Sequence, residues 1–278
     1  MTHNHQKKIA VVNDFCGFGR CSLTVSLPII SALKLQCCPL PTSVFSNHTE
    51  FDHFFCTDYT EQMESYIGEW DRLGLVFEGI LTGFLASEKQ IEIVRGFFER
   101  FKRSDTIVVM DPVMGDHGKL YPSYSPALAG RMQELLSCAD ILTPNLTEAC
   151  ILAGADYRSE MNEENLTAIC LRLSKAGPKR IVISGLNYGE DVGNFVFEAG
   201  KNPVILKEKR VGVGRAGTGD VFSSIIAADA VNGKPFADSV RHASTFIAKA
   251  LHKTVELDLP VTDGVCFEDF LAEIGDMG

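Results

Sequence analysis

The sequence lacks several features that would mark a secreted, membrane-bound or nucleic-acid-binding protein. No apolar run reaches the roughly 18 residues of a membrane-spanning helix, and the opening stretch MTHNHQKK has no apolar signal region. The nine cysteines form no CxxC pair, and their odd number argues against a disulfide framework. The formal charge of -10 argues against the clustered Lys and Arg of a nucleic-acid surface. These absences predict a cytoplasmic protein with reduced thiols that binds neither membranes nor nucleic acids.

The composition is that of a globular protein with a substantial core. Of the 278 residues, 45% are hydrophobic and 22% are charged. No internal repeat, low-complexity segment or Pro/Ser-rich linker divides the chain, so we predict a single domain over residues 1–278. The acidic balance leaves a nucleotide ligand open, because Mg²⁺ and backbone N–H groups can neutralise phosphates locally.

Short apolar runs alternate with amphipathic segments through the first two-thirds of the chain. The alternation predicts right-handed βαβ units and a parallel sheet that is covered by helices on both faces. Predicted strands lie at about 7–14, 41–45, 77–84, 105–110, 139–142 and 179–184, and predicted helices at 23–33, 59–73, 87–101, 126–138, 146–153 and 163–176. Residues 194–197 and 204–207 predict an antiparallel hairpin, and helices follow residue 220. Ligands of such sheets bind at the carboxyl ends of the strands.

A glycine-rich segment, GTGD, precedes the last helical part of the chain. Gly217 and Gly219 flank Thr218, and Asp220 falls in the first predicted turn. The N–H groups at a helix N-terminus form an anion site, and glycine lets a phosphate approach closely. A Walker loop requires a lysine after its glycines and a dinucleotide fingerprint follows the first strand, so neither pattern applies. From this segment alone, Asp220 is either a functional acid or a helix cap.

Two further motifs place acids after neighbouring strands. Asp111 opens DPVMGD directly after the strand TIVVM, and Glu148 closes TPNLTE one helical turn after Asn145. A pair of such acids suits a hard cation or a phosphate-bound Mg²⁺. Taken alone, DPVMGD is equally a strand-to-loop turn, and Asn145 is more often a helix cap.

The segment FSNHT, residues 45–49, ends the second predicted strand with donors and acceptors beside an aromatic ring. A lone loop histidine such as His48 is usually only a solvated side chain. Five such residues at a strand exit instead indicate a pocket for a small polar ring, because ligands bind where strands of an open sheet end.

Together DPVMG, TPNLTE and the late GTGD, in this order, resemble the ribokinase-like superfamily over nearly the whole chain. FSNHT followed by TGFL is similar to the pyridoxal kinase branch in particular. The resemblance implies an α/β three-layer sandwich, in which helices flank a central, mostly parallel sheet with a small antiparallel hairpin. It also implies a homodimer that uses MgATP to phosphorylate the 5′-hydroxymethyl group of vitamin B6 (pyridoxal, pyridoxine or pyridoxamine). A monovalent cation such as K⁺ is a further candidate cofactor.

The resemblance also assigns roles by position. Asp220 matches the family's catalytic base, and the N–H groups of residues 217–219 match its anion hole. The positions matched to ATP are Asp111, Asn145, Glu148, Ser184, Val211, Val213, Gly217 and Thr218, and those matched to the metal are Asp111 and Glu148. The positions matched to the vitamin are Asp14, Phe45, His48, Thr49 and Phe84.

Two positions depart from the family pattern. The first strand ends Asn13-Asp14 where many pyridoxal kinases have a serine, and Phe84 stands where tyrosine is common. Both leave the preferred B6 form open, and Asp14 alone is equally a strand-end acid in water. Two other functions stay open: a hydroxymethylpyrimidine (phosphate) kinase of thiamin synthesis and a non-catalytic B6-binding protein. FSNHT argues against the first, and Asp220 with its flanking glycines argues against the second.

Overall fold

A nine-stranded sheet forms the centre of the computed structural model, which describes residues 5–276. The strands of the chain are β1 (Lys8–Cys16), β2 (Gln36–Phe45), β3 (Cys56–Asp58), β4 (Gly79–Thr82), β5 (Ile107–Met110), β6 (Gly115–Asp116), β7 (Lys119–Leu120), β8 (Ile141–Leu142), β9 (Arg180–Tyr188), β10 (Asp191–Glu198) and β11 (Val204–Lys209). The large sheet has the order β11-β10-β9-β8-β5-β4-β1-β2-β3, and β6 and β7 form a separate hairpin. The strands from β9 to β2 are parallel, while β3, β10 and β11 are antiparallel additions at the two edges.

Helices cover both faces of the large sheet. They are α1 (Leu23–Ala32), α2 (Thr60–Arg72), α3 (Glu88–Phe101), α4 (Pro126–Arg131), α5 (Leu146–Ala153), α6 (Glu163–Ala176), α7 (Thr218–Asn232) and α8 (Phe236–Glu256), with 3₁₀ helices at Met132–Cys138, Val261–Asp263, Glu268–Phe270 and Ile274–Asp276. Helices α2 to α6 pack on one face, and α1, α7 and α8 pack on the other. Within residues 5–276, no helix combines the length and the apolarity that crossing a membrane requires.

Strand β1 shows why the sequence forms a sheet that is covered on both sides. Ala10 and Val12 belong to the apolar core under α2 to α6, and Ile9 and Val11 belong to the core under α1, α7 and α8. All four side chains are fully buried. A parallel strand between two helical layers needs apolar side chains at every position, which is why IAVV is a continuous apolar run.

The predicted architecture is confirmed, including the antiparallel pairing of β10 with β11. Strands β1 and β9 extend beyond their predicted ends, and β4, β5 and β8 are shorter than predicted. The helix predicted over 126–138 changes into a 3₁₀ helix at Met132. Strands β3, β6 and β7 were not predicted, because two or three residues carry no measurable periodicity.

Two helix starts differ in their capping. Ser87 caps α3 by accepting the N–H of Gln90, but the Gln90 side chain accepts the N–H of Ala86 instead of completing a capping box. The complete capping box opens α5, where Asn145 Oδ1 accepts the N–H of Glu148 at 3.0 Å and Glu148 Oε2 accepts the N–H of Asn145 at 2.9 Å. Asn145 and Glu148 of TPNLTE therefore both stabilise the start of α5.

The cysteines are packed as thiols. All nine are free, and Cys16, Cys21, Cys38, Cys150, Cys170 and Cys266 are buried. Buried free thiols behave as small apolar side chains, so most of the cysteines contribute to packing in the fold.

The direction in which the chain adds strands to the sheet reverses at β1. The chain passes from β1 to β2 on one side, and it continues through β4, β5, β8 and β9 on the other. Such a switch point leaves a crevice at the carboxyl ends of the strands. Asp14, Phe84 and Asp111 emerge at this edge, and α7 packs against β4 and β5.

Candidate active site

The N-terminus of α7 lies at this crevice. Gly217 precedes the helix with a φ of 82°, and a Cβ added there would lie 1.8 Å from the carbonyl oxygen of Arg20. Only glycine fits both the left-handed backbone and this close approach. The N–H of Val221 donates to the carbonyl oxygen of Gly217 at 2.9 Å as the first helical bond, so the N–H groups before it lack partners within the helix. The segment therefore presents backbone donors suited to an anion.

Asp220, in the first turn of α7, is held by two donors. Asn13 Nδ2 donates to Asp220 Oδ1 at 3.0 Å, and the N–H of Ser22 donates to the same carboxylate. Burial raises the pKa of Asp220 above its usual value, and these two hydrogen bonds, together with one from its own N–H, counteract the rise. A carboxylate fixed in this way beside backbone donors can accept a proton from a hydroxyl group.

Asp14 lies next to this acid at the end of β1. It is only 7% exposed, so it is not the solvated strand-end acid that the sequence left open. The hydroxyl of Ser22 donates to its carboxyl group. Burial, with a further contribution from the charge of Asp220, raises the pKa of Asp14 to about 7. Asp14 therefore changes its charge near neutral pH.

Asp111 lies beside the glycine segment. A Cβ added to Gly219 would lie 4.0 Å from Asp111 Oδ2, and the hydroxyl of Ser223, which donates to the carbonyl oxygen of Gly219 at 3.0 Å, is a polar neighbour of the Asp111 carboxyl group. Burial raises the pKa of Asp111 well above its usual range, and the charges of Glu148 and Asp220 raise it further. A cation bound beside Asp111, alone or with a phosphate, would lower the pKa of this carboxyl group again.

Glu148 is buried, and backbone groups use both of its oxygens. Oε1 accepts the N–H of Met114 at 3.1 Å, and Oε2 accepts the N–H of Asn145 at 2.9 Å. Burial raises the pKa of Glu148 to about 8, although these hydrogen bonds favour its charged form. The N–H of Gly115 is a further donor to this carboxylate, so three backbone groups compete with a cation for its lone pairs.

The donor set fits a cation that is held partly by phosphates. Within residues 5–276, no three His, Cys, Asp or Glu side chains are arranged to hold an ion by themselves. Mg²⁺ at nucleotide sites takes one or two carboxylates and completes its shell with phosphates and water. Asp111 can supply such a carboxylate beside the glycine segment, and Glu148 can reach the ion through water.

The remaining positions predicted for ATP differ in their contacts and exposure. The side chain of Asn145 caps α5 and also donates from Nδ2 to the carbonyl oxygen of Gly115 at 2.8 Å, as the helix-cap alternative requires. Ser184 pairs with Asn145 in a parallel bridge and is half-buried. Val211 is half-buried and Val213 is 59% exposed, both on the connection between β11 and α7.

An aromatic wall lies next to the acids. The rings of Phe45 and Phe84 have centroids 6.1 Å apart in an edge-on arrangement, and the rings of Phe84 and Tyr124 have centroids 5.9 Å apart. Cys16 and Cys21 pack against Phe45. An apolar wall beside polar groups is the surface that binds a planar heteroaromatic ring.

The other two predicted vitamin residues make different contacts. His48 Nε2 donates to the carbonyl oxygen of Thr262 at 2.7 Å, and its ring packs on that of Phe51 with centroids 4.8 Å apart. Its Nδ1 accepts the N–H of Glu50 at 3.3 Å, so backbone groups use both ring nitrogens. Thr49 is exposed. In this structure His48 fastens the FSNHT segment in place.

A loop at residues 259–263, which includes the 3₁₀ helix Val261–Asp263, holds three parts of the site together. Its main-chain oxygens accept hydrogen bonds from Arg20 at 3.0 Å, from His48 at 2.7 Å and from Arg215 at 2.6 and 2.8 Å. Arg20 belongs to the loop after β1, His48 to the FSNHT segment and Arg215 to the segment before α7. The sequence carries no signal for these bonds, because main-chain acceptors are the same at every residue.

Two site residues were not predicted from the sequence. In the sequence Asn13 is visible only as part of a departure from the family pattern, and no motif contains Ser22. Ser22 starts α1 with a φ of 61°, and its N–H and hydroxyl bind Asp220 and Asp14. The polar pair Asn13-Asp14 at a strand end could have indicated the first residue, whereas the position of Ser22 depends on the tertiary fold.

Residues 72–262 match the family model described as phosphomethylpyrimidine kinase, which is more than half of the chain. The chain belongs to the phosphomethylpyrimidine kinase family. This membership confirms the prediction from the motifs that the chain is a kinase of the ribokinase-like superfamily.

Solved structures and sequences similar to this kinase agree with that assignment. A putative phosphomethylpyrimidine kinase from Bacteroides thetaiotaomicron shares 34% identity with this chain, with a TM-score of 0.96 over 100% of this chain and 96% of that one. A second crystal form of that protein, described as containing pyridoxal, has a TM-score of 0.93 over 97% of this chain and 96% of that one. Pyridoxal kinase from Lactobacillus plantarum shares 26% identity with a TM-score of 0.90, over 96% of each chain. A putative pyridoxal kinase from Saccharomyces cerevisiae is 29% identical over 229 residues, 76% of this chain and 72% of that one.

The geometry of this kinase matches what phosphoryl transfer requires. Such a transfer involves little covalent chemistry by the protein, so positioning and charge stabilisation supply most of the catalysis. An ATP-dependent kinase handles its nucleotide together with a divalent cation. The crevice combines a fixed acid, backbone donors and further carboxylates at one edge of the sheet.

Proposed function

We propose that this kinase transfers the γ-phosphoryl group of MgATP to the 5′-hydroxymethyl group of vitamin B6. One observation carries the proposal: Asn13 hydrogen-bonds both Asp220 and the N–H of Phe84, which puts the acid and the aromatic wall in one pocket. The backbone donors of residues 217–219 immediately precede that acid. The similarity to a structure described as containing pyridoxal supports a pyridine ring as the substrate.

Each group then has a role in the transfer. Asp220 accepts the proton of the hydroxymethyl group as the hydroxymethyl oxygen attacks the γ-phosphorus, and the bond from that phosphorus to the oxygen of the leaving ADP breaks. The N–H groups of residues 217–219, at the positive end of the α7 dipole, stabilise negative charge on the transferred group. Bound Mg²⁺ supplies charge neutralisation across the phosphates. Asp111 would hold that ion directly and Glu148 through water, while Phe45 and Phe84 orient the vitamin ring.

A substrate panel tests the proposal. Purified protein is incubated with MgATP and, separately, with pyridoxal, pyridoxine, pyridoxamine and hydroxymethylpyrimidine, and the phosphate esters are quantified. We expect at least one B6 vitamer to be phosphorylated with a higher kcat/KM than hydroxymethylpyrimidine. A folded protein that binds pyridoxal but consumes no ATP with any of the four would instead be a non-catalytic B6-binding protein.

A hydroxymethylpyrimidine (phosphate) kinase is the second candidate. The observation that favours it is the matched family itself, whose description names phosphomethylpyrimidine. The chemistry is the same hydroxymethyl transfer on a different ring, so the two candidates share Asp220 and the glycine segment. A preference for hydroxymethylpyrimidine in the panel would establish this candidate and overturn the first.

Four further properties are proposed. The family resemblance supports a homodimer and a monovalent cation such as K⁺ as a candidate activator, and the sequence supports one domain over residues 1–278 and a cytoplasmic location. Light scattering measures the homodimer, a single cooperative unfolding transition the domain, rates in K⁺ against Na⁺ the activator, and fractionation of cells the location.

Replacing Asp14 is expected to change the preference among B6 forms. A carboxylate at the pocket favours a positively charged partner, such as the aminomethyl group of pyridoxamine. A charge-assisted hydrogen bond to that partner raises kcat/KM roughly ten- to a hundredfold. We therefore expect Asp14→Ser to lower kcat/KM for pyridoxamine more than for pyridoxal. Equal losses would assign Asp14 to the ring nitrogen that both share, and no loss on either would contradict a substrate contact.

The same variant has a second readout in its stability. Because folding raises the pKa of Asp14 to about 7, the native state binds more protons than the unfolded chain between about pH 4 and pH 7. Its contribution to stability is present below about pH 4 and is lost as pH rises to about 7. Urea unfolding should show that the unfolding free energy of Asp14→Ser rises relative to that of wild type between pH 4 and pH 8. Asp105→Asn, at an exposed position, should show no such relative change.

Replacing Glu148 is expected to affect both the metal and the fold. In Glu148→Gln an NH₂ group faces one of two backbone N–H donors, which should cost about 1 to 3 kcal/mol of unfolding free energy. The Mg²⁺ concentration for half-maximal rate should rise, because a bound cation favours the ionised form of Glu148 and an amide cannot carry that charge. Asn162→Ala, which removes the cap of α6, controls for a weakened helix start and should leave the Mg²⁺ titration unchanged. A Mg²⁺ titration unchanged in Glu148→Gln would place Glu148 outside the metal shell.

A further inference from the structure

Asn13 uses every polar atom of its side chain in the pocket. Its Nδ2 donates to Asp220 Oδ1 at 3.0 Å, while its Oδ1 accepts the N–H of Phe84 at 2.8 Å and the N–H of Asp14 at 3.0 Å. The residue is only 4% exposed. These bonds connect β1 to the start of α7 and to the segment after β4, so one amide group touches three parts of the site.

The space that Asn13 occupies is kept open by Gly83. A Cβ added to Gly83 would lie 2.5 Å from Asn13 Cγ and 2.6 Å from both Nδ2 and Oδ1. The backbone of Gly83 is not left-handed, so alanine is disfavoured there by the Asn13 side chain and not by its own conformation. Gly83→Ala is therefore a way to displace the Asn13 amide without changing Asn13 or Asp220.

An amide is the group that this position requires. It donates on one side to a carboxylate and accepts on the other from two N–H groups, which an ionised aspartate cannot do because it has no donor. We infer that Asn13 is a positioning residue, which fixes the orientation of the Asp220 carboxylate relative to the aromatic wall formed by Phe84. This inference rests on the proposed function of Asp220 as the base.

Kinetics test the inference. Misplacing the base by a fraction of an ångström should cost roughly ten- to a hundredfold in kcat, so Asn13→Ala and Gly83→Ala should both show this loss with KM for ATP within about twofold of wild type. In the double variant Asn13→Ala, Asp220→Asn, kcat should equal that of Asp220→Asn alone, because Asn13 has no base left to orient. Independent, multiplicative losses in the double variant would overturn the inference.

A matched glycine variant separates steric displacement from a general effect of alanine. Gly96 lies in α3, and a Cβ added there would meet no atom within 4 Å. Gly96→Ala should keep wild-type kcat, while Gly83→Ala loses activity. Wild-type kcat in Gly83→Ala, with the Asn13 amide displaced in a crystal structure of that variant, would contradict a positioning role.

A spectroscopic readout needs no catalytic turnover. The amide proton and nitrogen resonances of Phe84 report on the bond that it donates to Asn13 Oδ1. Asp220→Asn should shift these resonances when Asn13 is present and leave them unmoved in an Asn13→Ala background. If wild type phosphorylates none of the four panel substrates, the proposed function fails, but this comparison still decides the coupling. Equal shifts in both backgrounds would show that Asn13 does not connect the two groups.

Discussion

Asp220→Asn is expected to lower kcat by roughly 10²- to 10⁴-fold, the range for loss of a general base, with little change in the affinity for ATP. The amide oxygen can still accept the hydrogen bond of Asn13, so the start of α7 should keep its shape. An amide cannot accept the proton of the attacking hydroxyl, which is the function that is removed. Steady-state rates with the best B6 substrate, together with calorimetric titration of ADP, measure the two effects.

A second helix provides the control for this substitution. Asp238 lies in the first turn of α8, as Asp220 does in α7, but it is exposed and pairs with Arg241 at 2.8 Å. Asp238→Asn changes the same charge at the same place relative to a helix dipole, and it should leave kcat unchanged. If Asp220→Asn retained more than about a third of the wild-type kcat, Asp220 would be a helix cap and not a base.

Gly217→Ala is expected to reduce kcat at least about a hundredfold and to lower the unfolding free energy by several kcal/mol. The methyl group would overlap the carbonyl oxygen of Arg20, and this contact cannot be relieved by rotating a side chain. Either the loop after β1 or the glycine segment has to move. Movement of the segment withdraws its N–H groups from the phosphate, and loss of one such donor typically costs 10²- to 10³-fold.

Gly200 separates the overlap from the backbone conformation. It has a φ of 85°, close to the 82° of Gly217, but a Cβ added there would meet no atom within 4 Å. Gly200→Ala should therefore cost only the left-handed penalty of about 1 to 2 kcal/mol and leave kcat at the wild-type value. Similar losses of stability in the two variants would show that the Arg20 contact is not what requires glycine at 217. Chemical denaturation and the standard kinase assay measure both quantities.

Much of the sheet and its active edge can be predicted from local sequence. TIVVM followed by Asp111 is an apolar strand that ends in an acid, and each of these features is encoded within six residues. The glycines around Thr218 similarly indicate a helix start with exposed N–H groups. Parallel strands bring their carboxyl ends to one edge, so local patterns suffice to gather these residues.

The contacts that define each residue's role are mostly not local. In TPNLTE the same spacing fits a capping box and a metal acid, and only the N–H of Met114 shows that both oxygens of Glu148 are in use. The ring of His48 binds the carbonyl oxygen of Thr262, which is 214 residues away, and the FSNHT pattern does not indicate this contact. Asn13 likewise meets its partner Asp220 only in the folded sheet. Short-range periodicity contains no information on such pairs.

The loop at residues 259–263 has a consequence for how this kinase can vary among relatives. Arg20, His48 and Arg215 bind its main-chain oxygens, so the acceptors persist whatever side chains the loop carries. Its sequence is therefore free to drift, but its length is not, because one inserted or deleted residue would displace the acceptors of three segments at once. The loop also follows every other site segment in chain order, so during synthesis these hydrogen bonds cannot form until the loop has left the ribosome.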